Sequence, residues 1–268
     1  MGRNVLISGA SHGIGAATAI AFAKDGCNVG INYHNNRAGA EETEAECRKY
    51  GVDAQIYCAD IGCREQAVGM MRDFIEHFGT VDVLINNAGV SGPTALVVET
   101  REGRPEYTPE DFSKVLATNL TGTFMFCQEA ARQMIKQNAT NGKKGGRIII
   151  TASVGGFIGG KGVVGYGASK AGCLSLARTL ANNFGRENIT VNCICPGYVV
   201  TPLNEEFFVD KDGNFTDYYK KQSKSTSVRR LGTIEEIAGP VLAMCSDSFS
   251  YMTGSYILVD GGQSIPAE

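Results

Sequence analysis

Residues 5–15, VLISGASHGIG, carry the clearest indication of the fold. A short apolar run is followed by three glycines, Gly9, Gly13 and Gly15, and a helix-forming sequence continues after them. A glycine at a strand exit allows a tight turn, and later glycines let the backbone approach a pyrophosphate at a helix N-terminus. A glycine-rich loop alone is a weak signal, so its position after the first strand matters. The stretch predicts a strand, a phosphate-binding loop and a helix.

The rest of the chain alternates short apolar runs with amphipathic stretches. Repeated strand–helix–strand units predict a parallel sheet, and nearly continuous apolar strands predict helices on both faces. The predicted strands are 5–7, 29–31, 54–57, 81–85, 147–150, 189–194 and 256–259. The predicted helices are 13–25, 38–50, 64–77, 108–137, 166–184 and 234–244. The fold class is therefore α/β: a single-domain Rossmann fold over residues 1–268, with a doubly wound parallel sheet of seven strands.

Composition narrows the class of protein. The 268 residues are 43% hydrophobic and 20% charged, which suits one α/β domain with a large core. A net charge of −3 argues against a nucleic-acid partner. The nine cysteines include no CxxC pair, which predicts reduced thiols in a cytoplasmic protein and no metal site. Since no apolar run reaches about 18 residues, no membrane span is expected.

The end of the second strand bears on the choice of dinucleotide. An acidic residue there would accept the ribose hydroxyls of NAD(H) and repel the 2′-phosphate of NADP(H). Residues 31–37 read INYHNNR and contain no carboxylate. His12, His34 and Arg37 are candidate phosphate contacts, although simple solvent exposure explains them as well. NADP(H) is favoured, and NAD(H) is the alternative.

A Tyr-x-x-x-Lys pair starts the predicted helix 166–184. Residues four apart share a helix face, so the Lys170 ammonium is expected beside the Tyr166 phenol. A free phenol ionises only at about pH 10, and a neighbouring cation favours the phenolate, which makes tyrosine a workable acid and base near neutral pH. Ser153 follows the fifth strand, at the sheet edge where ligands bind, and can hydrogen-bond a substrate oxygen. The pair alone would equally suit an ordinary helix start.

Together these motifs resemble the short-chain dehydrogenase/reductase family in its compact single-domain branch, including members similar to 3-oxoacyl carrier-protein reductases. The resemblance covers essentially the whole chain. Further motifs occur in family order, namely Asp60, Asn86-Asn87-Ala88-Gly89, Asn119, Pro196-Gly197 and Asp260-Gly261-Gly262. The resemblance implies an NAD(P)(H)-dependent enzyme that interconverts a ketone and a secondary alcohol, with a small carbonyl or alcohol compound as its partner.

The resemblance also implies roles for individual residues. The catalytic set would be Asn119, Ser153, Tyr166 and Lys170. Asn119 would hold a water in a proton relay that reaches Lys170. The cofactor-binding residues would be Gly9, Ser11, His12, Gly13, Ile14, Gly15, Tyr33, His34, Asp60, Ile61, Asn87, Gly89, Tyr166, Lys170, Pro196, Gly197, Val199 and Thr201. Without the family pattern, Asn119 would be interpreted as a polar residue satisfied within its own helix.

The chain departs from the commonest family pattern in three ways. Ser8 replaces the usual threonine before Gly9, which is a mild chemical change. His12 stands where NADP-linked members often carry arginine. The stretch from Gly89 to Asn119 is a few residues longer than usual, on the expected substrate side.

Substrate and assembly are less constrained. The polar and aromatic segment 204–230 is expected to form a lid over a 3-oxoacyl thioester, sugar, steroid or small ketone. Its aromatic residues could cover an apolar ligand or pack on the protein itself; they are Phe207, Phe208, Phe215, Tyr218 and Tyr219. The family suggests a homotetramer or homodimer, paired through the helices that hold Asn119 and Tyr166. Phe124, Phe126 and Leu174 would lie on their outer faces, or equally in the core.

Two other functions are compatible with parts of the same pattern. A non-catalytic dinucleotide-binding regulator or scaffold would share the glycine loop, but it would need no proton relay. An epimerase or dehydratase of the family's longer branch would carry a different glycine spacing and a larger C-terminal substrate part. The intact catalytic set and the compact length favour the oxidoreductase.

Overall fold

One parallel sheet of seven strands organises the computed structural model, which describes residues 2–93, 95, 97, 106–142, 145–159, 163–201 and 204–265. The strands are β1 (Asn4–Ile7), β2 (Asn28–Tyr33), β3 (Ala54–Cys58), β4 (Val83–Asn86), β5 (Gly146–Thr151), β6 (Ile189–Pro196) and β7 (Tyr256–Val259). They lie in the order β3-β2-β1-β4-β5-β6-β7. The predicted doubly wound Rossmann sheet is confirmed. Much of the long stretch between Gly89 and Asn119 falls outside the described residues.

Helices cover both faces of the sheet. They are α1 (Gly13–Lys24), α2 (Arg37–Arg48), α3 (Arg64–Phe78), α4 (Pro109–Leu116), α5 (Thr123–Asn141), α6 (Val164–Phe184), α7 (Glu205–Phe208), α8 (Asp217–Lys224) and α9 (Ile234–Met244). Successive strand residues point to opposite faces, so Leu6 packs with α3, α5 and α6 while Val5 and Ile7 pack with α1, α2 and α9. Across the described ranges, no helix is both long and apolar enough to span a membrane.

The order of the strands reverses beside β1. This strand pairs with β2 on one side and with β4 on the other. In open α/β sheets a crevice forms at such a switch point, outside the carboxyl ends of the strands. The loops that follow β1, β4, β5 and β6 therefore converge on one edge of the sheet, where the predicted site residues lie.

The predicted helix 108–137 is two helices joined by a π-helical stretch. Thr108 begins α4 through a capping box, in which its hydroxyl accepts the Asp111 N–H at 3.1 Å. Residues Ala117–Gly122 then form the π-helical stretch that leads into α5. The apolar repeat shifts only locally there, so sequence periodicity predicts one uninterrupted helix. Such turns are frequent at functional sites, and this one contains Asn119.

The outer face of α5 and α6 differs from the predicted one. Phe124 is 39% exposed, as expected for a surface position. Phe126 and Leu174 are buried in the core between these helices and the sheet, so their placement on the outer face is wrong and the core alternative is right. The reason is the helical period: Phe126 lies two residues from Phe124, which turns it to the opposite side of α5.

Candidate functional site

The loop after β1 is packed so closely that two positions accept only glycine. The buried Ser8 hydroxyl accepts the backbone N–H groups of Asn87 and Ala88, both at 3.0 Å. Gly9 has a φ of 61°, and a Cβ there would lie 2.8 Å from the Ala88 Cα. A Cβ on Gly15 would overlap the Gly9 carbonyl oxygen. The loop backbone is thereby held against the start of the loop after β4.

The loop leads directly into the N-terminus of α1. His12 is the N-cap residue, and its exposed side chain makes no capping hydrogen bond. Gly13 starts the helix, with the Thr201 side chain 3.7 Å from where a Cβ would lie. Ser11 is buried, and Ile14 is half-buried against the core of α1, α2 and α9. The first turn of α1 thus offers N–H groups with no N-cap side chain on them, which is what an anion-binding helix end requires.

Asn32, at the end of β2, is a site residue that the motifs did not identify. Its side chain is 2% exposed. Its Oδ1 accepts the Gly9 N–H at 3.2 Å, and its Nδ2 donates to the carbonyl groups of Tyr57 and Ala59 at 3.2 and 3.0 Å. The amide therefore ties the glycine loop to β3. An asparagine inside an otherwise apolar strand was the available sequence signal.

The three predicted residues after Asn32 differ in accessibility. Tyr33 is buried, so little of its surface can meet a ligand. His34 and Arg37 are exposed at the carboxyl edge. The Arg37 Nε pairs with Glu41 Oε1 at 2.8 Å on the first turns of α2. This exposed pair is weakly held, which leaves the guanidinium able to exchange partners.

On the β3 side, Asp60 and Ile61 have distinct positions. Asp60 Oδ1 accepts the Gly62 N–H at 2.8 Å, and the Asp60 N–H donates to Gln66 Oε1 at 2.8 Å, so both groups shape the loop. The Ile61 side chain is buried in the core of α3, α5 and α6. Only its backbone can flank a ligand.

Residues after β4 connect the glycine loop to the proton-transfer side. Asn87 Nδ2 donates to the Gly9 carbonyl at 3.0 Å, while its Oδ1 accepts the Thr151 hydroxyl at 3.3 Å. A Cβ placed on Gly89 would lie 3.2 Å from Asn119 Oδ1 and 3.5 Å from Lys170 Nζ. These residues span the ends of β1, β4 and β5, and they bring Asn119 and Lys170 to one point.

The predicted catalytic side chains of β5 and α6 do converge. Lys170 is 4% exposed, its Nζ donates to the Thr151 carbonyl at 2.6 Å, and it lies 5.6 Å from the centroid of the Tyr166 ring. A Cβ placed on Gly155 would lie 3.4 Å from both Ser153 Oγ and Tyr166 Cε1. The Ser153 Oγ accepts the Gly155 N–H at 3.0 Å, so its own hydrogen is left to donate.

Asn119 is fully buried, and its side chain is bonded on both sides. Its Oδ1 accepts the Val90 N–H, and its Nδ2 donates to the Val90 carbonyl, both at 2.8 Å. The same Nδ2 donates to Ser169 Oγ at 3.1 Å. The interpretation of Asn119 as satisfied within its own helix does not describe the structure, because these partners lie in the loop after β4 and on α6. Ser169 is a further residue that the motifs did not single out.

The loop after β6 closes the site. Pro196 ends the strand, and the Gly197 N–H donates to the Val259 carbonyl at 3.0 Å. Val199 is buried and bridges to Gly232. The Thr201 N–H donates to Asn204 Oδ1 at 2.7 Å. Pro196, Gly197 and Val199 thus form one side of the site and are held in place by neighbouring backbone. Thr201 lies between these residues and the N-terminus of α1.

The aromatic residues of segment 204–230 pack mainly on one another. Phe208 is buried and stacks on Tyr218, with 5.4 Å between ring centroids. Phe215 stacks on Tyr219 at 3.9 Å. Phe207 is 57% exposed and Phe215 is 53% exposed. Self-packing is therefore the larger part of the arrangement, while three rings, those of Phe207, Phe215 and Tyr218, remain exposed enough to contact a ligand.

All nine cysteines are unpaired, and most are buried. Burial raises the pKa of Cys195 and of Cys127 to about 12, so these thiols are protonated at neutral pH. In the part of the chain that the structure describes, no three His, Cys, Asp or Glu side chains are grouped as metal ligands.

Comparison with known proteins extends these observations. A family model described as enoyl-(acyl carrier protein) reductase matches residues 9–264. The chain is 33% identical to glucose 1-dehydrogenase 2 of Bacillus subtilis over 264 residues, covering 98% of this chain and 95% of that one. It is 32% identical to 3-oxoacyl-(acyl-carrier-protein) reductase FabG of Staphylococcus aureus over 263 residues, covering 98% of each.

A solved structure agrees with the sequence relatives. The crystal structure of NAD⁺-bound xylitol dehydrogenase superposes with a TM-score of 0.84 at 33% identity, covering 97% of this chain and 98% of that one. The match therefore includes the whole sheet and the loops at its carboxyl edge. The chain belongs to the short-chain dehydrogenase/reductase family of oxidoreductases.

Proposed function

We propose that the protein interconverts a ketone and a secondary alcohol with an NAD(P)(H) cofactor, and that Tyr166 is the general acid and base. The observation that carries this proposal is the buried Lys170 ammonium, held by the Thr151 carbonyl and placed 5.6 Å from the Tyr166 ring. A cation fixed at that position stabilises the phenolate form.

The residues at the carboxyl edge fit a dinucleotide. Gly9 and Gly15 let the loop pack closely on Ala88 and on itself. The N–H groups at the start of α1 carry no N-cap side chain, so a pyrophosphate can approach them. Asp60, Asn87 and Gly89 would line the adenosine side, and Pro196, Gly197, Val199 and Thr201 would line the nicotinamide side. When bound, the nicotinamide supplies or accepts the hydride.

The chain's own residues would then handle the proton. The Ser153 hydroxyl donates a hydrogen bond to the substrate oxygen, since its Oγ already accepts from Gly155. The Tyr166 hydroxyl gives its proton to that oxygen during reduction and takes it back during oxidation. Lys170 stabilises the phenolate, and Asn119 lies close enough to Lys170 to share a relay water with it.

For the cofactor, we propose a preference for NADP(H), with NAD(H) as the alternative. Residues 31–37 carry no carboxylate, and the Asn32 amide is bonded internally, so nothing there repels a 2′-phosphate. The exposed Arg37 and His34 are available to contact one. The kcat/KM values for NADPH and NADH test this, with Arg37→Ala expected to lower only the NADPH value. A clear preference for NADH would contradict the proposed NADP(H) preference. The alternative, NAD(H), is the cofactor bound in the solved xylitol dehydrogenase structure.

The substrate is proposed to be a small carbonyl or alcohol compound under a lid formed by segment 204–230. The exposed rings of Phe207 and Phe215 support an apolar portion. One relative is named for a sugar and another for a 3-oxoacyl thioester of acyl carrier protein. Sugars and 3-oxoacyl thioesters, together with steroids and small ketones, are therefore the first candidates for a substrate screen.

We further propose a homotetramer or homodimer that pairs through α5 and α6, each copy one catalytic domain over residues 1–268. A cavity of about 410 Å³ lies between these helices, lined by Phe124, Ile135, Leu176 and Phe184 among others. Phe124 and Ile135 are partly exposed apolar side chains. Light scattering of the wild type and of Phe124→Glu tests this: the variant should be smaller. The unpaired cysteines support a cytoplasmic, reducing location.

The direct test of the reaction is turnover. Purified protein is mixed with NADPH or NADP⁺ and a panel of ketones and secondary alcohols, and nicotinamide absorbance is followed. Turnover of at least one pair is expected. Tight cofactor binding without any turnover would instead favour a dinucleotide-binding regulator.

A further inference from the structure

The backbone carbonyl of Asn119 is held by two side chains. Its oxygen accepts the Thr123 hydroxyl at 2.8 Å and the Cys173 thiol at 3.2 Å. Thr123 lies one turn ahead on the same helix, whereas Cys173 belongs to α6 and is 54 residues away. The thiol therefore links the π-helical stretch to α6, the helix that carries the proposed acid/base residue.

The position of Cys173 on α6 gives the link its significance. It follows Lys170 by three residues, so both side chains lie on one face of the helix. Ser169, beside Lys170, already holds the Asn119 side chain at 3.1 Å. Two residues of α6 thus hydrogen-bond to Asn119: Ser169 bonds to its side-chain amide, and Cys173 bonds to its backbone carbonyl. A rigid separation between Asn119 and Lys170 follows from this double attachment.

The protonation state of the thiol suits a donor. Cys173 is fully buried, and this burial raises its pKa, although the nearby Lys170 ammonium opposes the change. The group is therefore a neutral S–H at physiological pH, and the carbonyl oxygen is its acceptor. Alanine at this position would fill part of the space but donate nothing.

We propose that Cys173 is a positioning residue, whose thiol holds the Asn119 carbonyl against α6 and so fixes the distance from Asn119 to Lys170. This inference rests on the proposed oxidoreductase function, because the distance matters only if the two residues share a proton relay. Cys173 does not touch the reacting atoms. It acts through Asn119, and its effect belongs to the rate of the chemical step rather than to binding.

The experiment compares Cys173→Ala, Cys173→Ser and wild type. Serine keeps a donor in nearly the same volume, whereas alanine removes it. Cys173→Ala should lower kcat by about two- to fivefold, as expected for a weak hydrogen bond, while KM for cofactor and substrate stays unchanged. Cys173→Ser should return kcat to near the wild-type value. Hydrogen exchange of the peptide covering residues 117–123 should be faster in Cys173→Ala only.

A matched control separates positioning from packing. Cys245 is equally buried but lies in the other core, so Cys245→Ala removes the same volume away from the site. It should lower Tm without changing kcat or the exchange of residues 117–123. If Cys173→Ala has the kcat and exchange of Cys245→Ala, the role of Cys173 is wrong while the proposed function stands. If wild type turns over no ketone or alcohol, the proposed function fails first and this inference fails with it.

Discussion

The carboxyl edge of the sheet and segment 204–230 hold their side chains in opposite ways. At the edge, Asn32, Asn119 and Lys170 are buried, and each is bonded to groups on other elements. In segment 204–230 the aromatic rings stack mainly on one another, and Phe207 and Phe215 stay more than half exposed. Contacts to other elements of the fold hold the side chains of the first region in place. The aromatic side chains of the second region are held mainly by contacts within the segment itself.

This difference suggests that the two regions have different roles, one in the reaction and the other in substrate binding. A preorganised edge determines which reaction the residues can perform, since proton transfer depends on short, fixed distances. A segment with few contacts to the sheet can vary without disturbing the core, which is the property expected of a substrate-binding element. The carboxyl edge therefore supports the proposed reaction class, and segment 204–230 is the place to look for substrate preference.

The largest effect expected at the fixed edge is that of Tyr166→Phe. Removing the hydroxyl removes the proposed proton donor, so kcat should fall by about 10²- to 10⁴-fold. The ring remains beside Lys170, and the cofactor Kd should change by no more than about twofold. Tyr57→Phe is the matched control, because its buried hydroxyl has no partner among the described residues. Near-normal kcat in Tyr166→Phe would overturn the mechanism.

Next in size is Lys170→Ala. The substitution removes the ammonium that the Thr151 carbonyl holds, and with it one of the cofactor-binding groups that the family resemblance implies. We expect kcat to fall by about 10²-fold and cofactor affinity to fall about tenfold. Lys24→Ala tests specificity, since Lys24 also lies over a tyrosine ring, at 5.5 Å from that of Tyr50, but away from the edge. Loss of affinity with an unchanged kcat would limit Lys170 to binding.

A smaller effect, confined to the other region, is expected from Phe208→Ala. Loss of the buried ring that Tyr218 stacks on should loosen segment 204–230. KM for the substrate should rise by about tenfold, with an unchanged Kd for the cofactor. Phe207→Ala, at an exposed neighbour, should leave the stability of the segment intact. If Phe208→Ala weakens cofactor binding as much as substrate binding, the two regions are not separable in this way.

The smallest effect concerns the ion pair that joins the end of segment 204–230 to α9. Arg230 lowers the pKa of Glu236 from 4.5 to about 2. A lowered carboxyl pKa stabilises the fold above pH 4.5, and this contribution is lost as the pH falls toward 2. Because both side chains are partly exposed, Glu236→Gln should lower Tm by only about 2 °C at pH 6 and by nothing at pH 2. An equal Tm difference at both pH values would contradict this assignment.

Sequence alone predicted the site residues at the carboxyl edge better than the hydrogen bonds that hold those residues in place. The strands, the glycine loop and the Tyr166–Lys170 pair follow from local patterns, and the structure brings Ser153, Tyr166 and Lys170 together as expected. Asn32 and Cys173 were not identified, because each acts on a partner far along the chain, 54 residues away for Cys173. A periodicity argument also cannot detect the π-helical stretch around Asn119.

For segment 204–230 the sequence left the packing undecided. Five aromatic residues can cover a ligand or one another, and composition does not distinguish the two arrangements. The structure shows mostly the second: Phe208 of α7 stacks on Tyr218 of α8, and Phe215, which lies between the two helices, stacks on Tyr219 of α8. Contacts between rings a few residues apart depend on turns that the apolar pattern does not specify.

The proposed reaction is the reduction of a carbonyl group through Tyr166. The most direct measurement follows nicotinamide absorbance for wild type and Tyr166→Phe, side by side, across ketones, 3-oxoacyl thioesters, sugars and steroids. Wild type should oxidise NADPH with at least one substrate in a one-to-one ratio to alcohol formed, and Tyr166→Phe should bind NADPH normally but be nearly inactive. Tight NADPH binding by both proteins with turnover by neither, or equal turnover by both, would contradict the claim.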